Sequence, residues 1–430
     1  MKYSLADLPA LAATPLGRFQ LRWGVAYRAW PLLRRVAGLY RRTFLRRTQL
    51  IAVVGSCGKS TTVRTTQAVL GVPRAEKLPV NAFSGLALAL LKVRRGARFA
   101  VLEAGLARPG QMEPYARMLA PNTVVVTAIG TDHRRSFETL EATRSEKARM
   151  VEALRSDGLA VLNGDDPNVL WMRGRTDARI LTYGFDEGND VRGAAPEIDW
   201  PHSTRFRVSV DGEEHEATIR MFGRPMLLSA LAGLAVAHGH GVDLGAAIAA
   251  LSELEPTPGR LHPVPLACGA ILIRDDWKSA EETMLAAFDL LEQVPARRKI
   301  VLMGGIEEPR MPVRARYRHV AERLAACADR AYIMGRRDDY ARGAVAAGMP
   351  PEALIEAPKD IDDLVAQIGA DLGPGDVLLV KGRGSERVER VSLALQGVAV
   401  GCKVEFCSAT RRCDGCPMLE RGWGDKRIVM

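Results

Sequence analysis

Nowhere in this 430-residue chain do eighteen apolar residues follow one another, so no membrane span is expected. The N-terminus has no uninterrupted apolar core of the kind a secretory leader needs. Cysteine is scarce: four of the seven are crowded into the last 30 residues, which is no extracellular disulfide framework. A cytoplasmic protein is therefore expected, with membrane association kept open by the charge pattern described next. Acid is almost missing from residues 1–48, where Asp7 stands against ten Lys or Arg, although the whole chain nets only +10. The basic character thus belongs to one segment. Nucleic acid is not expected as a partner, because no recognised binding motif accompanies that charge.

What is present reads as a globular α/β protein, 47% hydrophobic and 26% charged, and long enough for two or three domains. Within the basic segment, residues 31–47 have helical periodicity. Arg34, Arg35, Arg41, Arg42 and Arg46 fall on one side and Leu32, Leu33, Val36, Leu39, Tyr40 and Phe44 on the other. The plain expectation is a helix that packs its apolar side on the next domain and leaves its basic side in water. Contact with a lipid surface or anionic partner through residues 28–47 is the alternative.

The most informative stretch is VVGSCGKSTT, residues 53–62. A β-branched run ends in a two-glycine turn that opens a helix, which is an anion seat built from free backbone amides and the helix dipole. Gly55, Ser56, Cys57, Gly58, Lys59, Ser60 and Thr61 are its expected phosphate-binding residues, with Lys59 on the outer phosphates and Ser60 or Thr61 on Mg²⁺. The strict pattern would place its first glycine at position 53, where there is Val53. Further short runs at 99–105, 122–130 and 158–166 alternate with helical patterns and predict a mostly parallel sheet. Their ends carry Glu103, then Asp132 and His133, then Asn163, Asp165 and Asp166, candidate oxygen and imidazole ligands for Mg²⁺.

With these pieces in order, the sequence resembles the Mur ligase superfamily, MurF-type enzymes most, over roughly residues 49–395. GSCGKSTT, NAFSG (81–85), LEAGLARPGQM (102–112), the stretch 128–150, AVLNGDD (160–166), PTPGRLHPV (256–264) and VLLVKGRGSERVERV (377–391) carry the resemblance. It implies a central ATPase domain over 49–262, a smaller Rossmann-like domain over 263–400, and an ADP-forming ligase. Such an enzyme joins a carboxylate, activated as acyl phosphate, to an amino acid or other amine. By resemblance Glu103 and His133 bind Mg²⁺, Lys147 is carbamylated to hold a second Mg²⁺, and Lys59 completes the catalytic set. Asn163, Arg260 and Asp275 would contact nucleotide; Asn81, Ser84, Lys278 and Lys381 would meet substrate.

The departures from the family pattern bear on specificity. Pro225, Met226 and Ser229 stand where the family has polar residues near the adenine, and Ala280 and Glu281 replace an Asn-Pro pair. Residues 1–48 are too few for the family's UDP-sugar-binding domain, as in capsular poly-γ-glutamate synthases and some amidating relatives. A small acid, a peptide or a carrier-attached acid is therefore the expected carboxylate. A nucleotide-binding partner that has lost ligation, or a polymerising ligase, is the alternative. The 401–430 tail is separate: Cys402, Cys407, Cys413 and Cys416 suit a tetrahedral Zn²⁺, with an iron–sulfur cluster or free thiols as alternatives.

Overall fold

The computed structural model describes residues 7–73, 81–130, 136–307, 313–335, 337–407, 409 and 411–422. His133 and Asp132 lie outside them. The chain divides into two compact units, one of residues 26–255 and one that joins residues 1–25 to 256–430. Three helices come first: α1 (Leu8–Ala13), α2 (Pro15–Arg28) and α3 (Trp30–Phe44).

In the 26–255 unit the order is β1 (Gln49–Val54), α4 (Lys59–Val69), α5 (Phe83–Leu91), β2 (Phe99–Glu103), α6 (Met112–Leu119), β3 (Thr123–Val126), α7 (Leu140–Glu152), β4 (Leu159–Asn163), α8 (Pro167–Leu170) and β5 (Arg179–Gly184). Then follow β6 (Val191–Asp199), β7 (Ser203–Val210), β8 (Glu213–Ile219), α9 (Arg224–Gly239) and α10 (Leu244–Ser252). The sheet runs β2-β1-β3-β4-β5-β6-β7-β8. Pairing is parallel from β2 to β6 and antiparallel from there on. Parallel strands covered on both faces read as unbroken apolar runs, and β1 is such a run. Its Leu50, Ala52 and Val54 pack with Ala37, Leu86, Tyr115 and Val151 in one core. The antiparallel extension β6–β8 was not read from the sequence. Its strands alternate buried and exposed residues, a weaker signal than a continuous apolar run.

The second unit orders its sheet β13-β12-β11-β14-β10-β9, all parallel except β9. Its elements are β9 (His262–Pro265), β10 (Ile271–Asp275), α11 (Glu281–Gln293), β11 (Lys299–Met303), α12 (Val313–Cys327), β12 (Arg330–Ile333) and α13 (Arg337–Ala346). β13 (Leu354–Glu356), α14 (Ile361–Asp371), β14 (Val377–Lys381) and α15 (Glu389–Leu395) complete it. The tail packs here too: Leu16 and Phe19 of α2 meet Ala409, Met418, Cys407 and Cys416.

The expected orientation of α3 holds in part: Leu33 and Tyr40 pack on the core, and Arg35, Arg42 and Arg46 stay exposed. The face it buries runs through Ala37, Gly38 and Arg41, between the apolar and basic sides seen in the sequence. Arg41 is 6% exposed. It donates to Leu119 O (2.9 Å), Ala120 O (3.0 Å), Asn122 Oδ1 (2.7 Å) and Leu45 O. Leu32, Val36 and Leu39 are left 64%, 46% and 59% exposed. A guanidinium that satisfies four oxygens at a loop fixes the helix more firmly than a leucine contact would. Arg41→Leu is expected to destabilise the protein by about 3 kcal/mol, through carbonyls left without donors. The exposed Arg42→Leu should stay within about 0.5 kcal/mol. Denaturant unfolding of the two variants checks both.

Candidate phosphate site and the strand ends around it

β1 is flanked by β2 and β3, so the chain leaves it in opposite directions to reach its neighbours. That is the switch point where parallel sheets open a crevice beyond their carboxyl ends. The turn there is forced to be glycine twice. Gly55 has φ +148°, and a Cβ on it would fall 1.9 Å from Thr127 Oγ1. Gly58, at φ +82°, precedes α4 in the left-handed region. Between them Ser56 N donates to Ala128 O (2.7 Å), and Thr127 Oγ1 donates to Cys57 O (2.6 Å). Thr127 is a site residue the sequence reading missed, although its strand was read; only its place at a strand end marked it.

Lys59 folds back on the turn, its Nζ 2.8 Å from Gly55 O and 3.0 Å from Ser56 O. Ser60 Oγ donates to Glu103 Oε2 at 2.7 Å, and Asn81 Nδ2 donates to Glu103 Oε1. Glu103 ends β2 in register with Val53. Thr61 is buried in the first turn of α4, and Cys57 is half-buried in the loop. Lys147 is 2% exposed. Thr139 caps α7 by accepting from Ala142 N (3.1 Å), and the helix buries Thr143, Lys147 and Val151 at i, i+4 and i+8. Lys147 Nζ thereby reaches Ser56 Oγ at 2.6 Å. Ser56 Oγ also accepts from Gly130 N at 2.8 Å, so one hydroxyl joins the turn, the β3 end and α7.

The structure thus brings together Gly55, Ser56, Gly58, Lys59, Ser60, Asn81, Glu103 and Lys147. Other candidates are engaged elsewhere. Ser84 is buried and its hydroxyl donates to Ala26 O. Asn163 Nδ2 donates to Thr127 O (2.7 Å) and its Oδ1 accepts from Asp165 N (3.1 Å). Asp165 accepts from Phe185 N, Asp186 N, Asn189 Nδ2 and Arg224, the last at 2.6 Å. Asp166 caps α8 and accepts from Ile129 N. These two acids, read as candidate ligands, are fully used in holding strand ends together. At the departure in α9, Ser229 Oγ turns back to Pro225 O (2.9 Å), and Met226 is buried.

In the other unit, Asp275 and Lys381 end neighbouring strands in register. Both are buried and form an ion pair; Asp275 also accepts from Leu261 N at 3.3 Å. Burial pushes the Lys381 ammonium below its ordinary pKa, and Asp275 pulls it back. Arg260 and Lys278 are half-buried in the loops before β9 and after β10. Gly305, in the MGGIEE stretch, donates to the carboxylate of Glu386 at 2.9 Å. In the tail, the four cysteines are free thiols lining one small pocket.

Two family models match: the Mur ligase middle domain over residues 53–237 and the Mur ligase glutamate ligase domain over residues 259–384. The UDP-N-acetylmuramoyl-tripeptide–D-alanyl-D-alanine ligase of Escherichia coli is 25% identical over 355 residues, 81% of this chain and 77% of that one. The Bacillus subtilis enzyme of the same name is 28% identical over 263 residues, 60% of this chain and 56% of that one. This chain therefore spans little more than half the length of that relative. Among solved structures, MurF from Acinetobacter baumannii superposes with TM-score 0.75 at 21% identity, over 86% of this chain and 80% of that one. MurF from Thermotoga maritima in complex with ADP gives 0.73 at 22%, over 86% and 84%. At these identities the superpositions speak to the fold.

The buried pair has a measurable weight. Lys381→Met strands the Asp275 carboxylate and is expected to cost about 3–5 kcal/mol, whereas Lys381→Met with Asp275→Leu should recover most of it. Thermal or urea unfolding of the single and double variants reads the difference.

Proposed function

The chain belongs to the Mur ligase superfamily, and from that premise we propose that it is an ATP-dependent, ADP-forming ligase that joins a carboxylate to an amine. The observation that carries the reading is the cluster at the end of β1. The glycine turn at the N-terminus of α4 and Lys59 concentrate positive charge where the Ser60 hydroxyl and Glu103 carboxylate supply oxygen, with the buried Lys147 against the Ser56 hydroxyl. The carboxylate oxygen attacks the γ-phosphorus of ATP, ADP leaves, and an acyl phosphate forms. The amine nitrogen then attacks the acyl carbon, phosphate leaves, and the amine gives up a proton. Lys59 and the loop amides neutralise charge on the transferred phosphoryl group.

Ser60 and Glu103 fit a hard divalent cation, because a hydroxyl and a carboxylate oxygen stand 2.7 Å apart at one strand end. They would hold Mg²⁺, which when bound supplies further charge neutralisation at the phosphate oxygens. An ammonium at Lys147 does not suit a second cation. Reaction of the neutral amine with CO₂, with loss of a proton, would give a carbamate whose oxygens do.

The carboxylate substrate is proposed to be a small acid, a peptide or a carrier-attached acid, and the amine an amino acid or other small amine. Lys278, half-buried in the loop after β10, is proposed to meet an acidic group of the substrate. A carrier at a lipid surface is consistent with α3. Its exposed Leu32, Val36 and Leu39, at i, i+4 and i+7, form one row, with the exposed Arg35 and Arg42 beside it. Among the described residues no helix is long and apolar enough to cross a membrane.

Substrate-dependent ADP release over a panel of acids and amines is the test. Lys59→Ala and Lys147→Ala are expected to lose it, by about 10²-fold or more, and acetate should partly restore the second. UDP-N-acetylmuramoyl tripeptide with D-alanyl-D-alanine should be a poor pair. No release with any pair would make the chain a nucleotide-binding partner instead. Undiminished turnover by Lys147→Ala would remove the carbamate.

The surface contact is checked by co-sedimentation. Vesicles containing phosphatidylglycerol should carry the protein down at low salt, and pure phosphatidylcholine should not. Leu32→Glu with Leu39→Glu should abolish the effect. No binding, or a change in oligomeric state with those substitutions, would reassign the row to contact between copies of the chain.

A further inference from the structure

We propose that the four tail cysteines hold one structural zinc ion whose negative thiolate cage is balanced by two buried arginines, Arg387 and Arg390. Cys402, Cys407, Cys413 and Cys416 line a single pocket with Arg387 and Arg390. The cysteines come from a segment with little regular structure. The sequence spacing alone does not bring them together; the arginines do. Arg387 donates to Cys407 O (3.2 Å), Arg411 O (3.0 Å) and Ala409 O, which folds the tail over one guanidinium. It also pairs with Glu389 at 3.4 Å, and the Glu389 carboxylate accepts from Cys413 N at 2.6 Å.

Arg390 supplies the independent observation. It is 3% exposed. Its guanidinium donates to Cys402 O (2.8 Å), Arg387 O (3.2 Å) and Glu386 O (3.4 Å), with the Cys402 sulfur 3.8 Å away. Among the described residues it has no carboxylate partner. A buried cation satisfied only by neutral groups is costly, and the nearest group able to become an anion is the Cys402 thiol. Four thiolates around Zn²⁺ carry net charge −2, which gives the two guanidinium groups their counter-charge.

The pocket leaves room for one water-sized body, about 10 Å³, which admits a single metal ion. As the side chains stand, the sulfurs ring the pocket without converging, and among the described residues no three ligating groups are arranged to hold an ion. A closed four-thiolate site has no open position for chemistry. Its work is to lock residues 402–416 together and so hold the surface on which Leu16 and Phe19 pack.

The experiment uses the full chain purified without added metal. Elemental analysis is expected to find about one zinc per chain, released when an organomercurial titrates four thiols. Cys413→Ser with Cys416→Ser should lose the metal. Removing zinc should expose the tail to limited proteolysis. Arg390→Gln should retain the fold but give up zinc to a chromogenic chelator at least several-fold faster; an arginine that only fills space would leave that rate unchanged. No metal alongside four reactive thiols, or disulfides found by mass spectrometry, would overturn the site. Iron with acid-labile sulfide would overturn the single-ion assignment, and an unchanged release rate would overturn the role given to Arg390.

Discussion

Positive charge gathered where a flanked strand ends is the constraint on which the 26–255 unit depends. Loop amides, the N-terminus of α4, Lys59 and Lys147 all meet around one turn. Such a gathering resists folding unless each donor has an acceptor in the absence of phosphate. The protein supplies them internally: Gly55 O and Ser56 O for Lys59, and the Ser56 hydroxyl for Lys147. These acceptors are neutral oxygens, which a polyanion can replace with charge-assisted hydrogen bonds. Glu103 accepts from Ser60 and Asn81 at the neighbouring strand end.

The other unit solves a different problem. Asp276 and Glu389, almost fully buried, are met by Arg274, Arg387 and Arg412. Arg412 reaches Pro258 O as well, at 2.8 Å. Buried ionic networks of this kind contribute little net stability, yet removing one member is severe. Here they stitch the irregular tail to α15 and to the loop after β10, so that a segment almost without regular secondary structure is held at defined positions.

How much of this was legible follows from how local each signal is. The P-loop and the parallel sheet were readable, because glycines at fixed offsets and unbroken apolar strands are local patterns. Lys147 could be singled out only through family resemblance, since a lysine on a helix is ordinarily exposed and its burial depends on a hydroxyl 91 residues away. The orientation of α3 was read only in part for a related reason: periodicity separates apolar from basic residues but cannot foresee that one guanidinium, Arg41, will be buried while Leu32, Val36 and Leu39 are not. Asp165 and Asp166 looked like ligands because strand-end acids often are; the donors converging on Asp165, three from the loop after β5 and one from Arg224 of α9, were invisible in sequence. β6–β8 escaped notice because alternating strands carry a fainter pattern than continuous ones.

That antiparallel extension has a bearing on assembly. The large sheet ends on β8, whose sequence is EEHEATI, with Glu213, Glu214 and Glu216 exposed. An edge strand offers its unpaired backbone to any passing strand, and crowded like charges discourage that docking. By adding three antiparallel strands and finishing them with glutamates, the fold makes one of its two edges, the one opposite β2, strongly acidic. Growth of the sheet from one molecule into the next is thereby opposed at that edge.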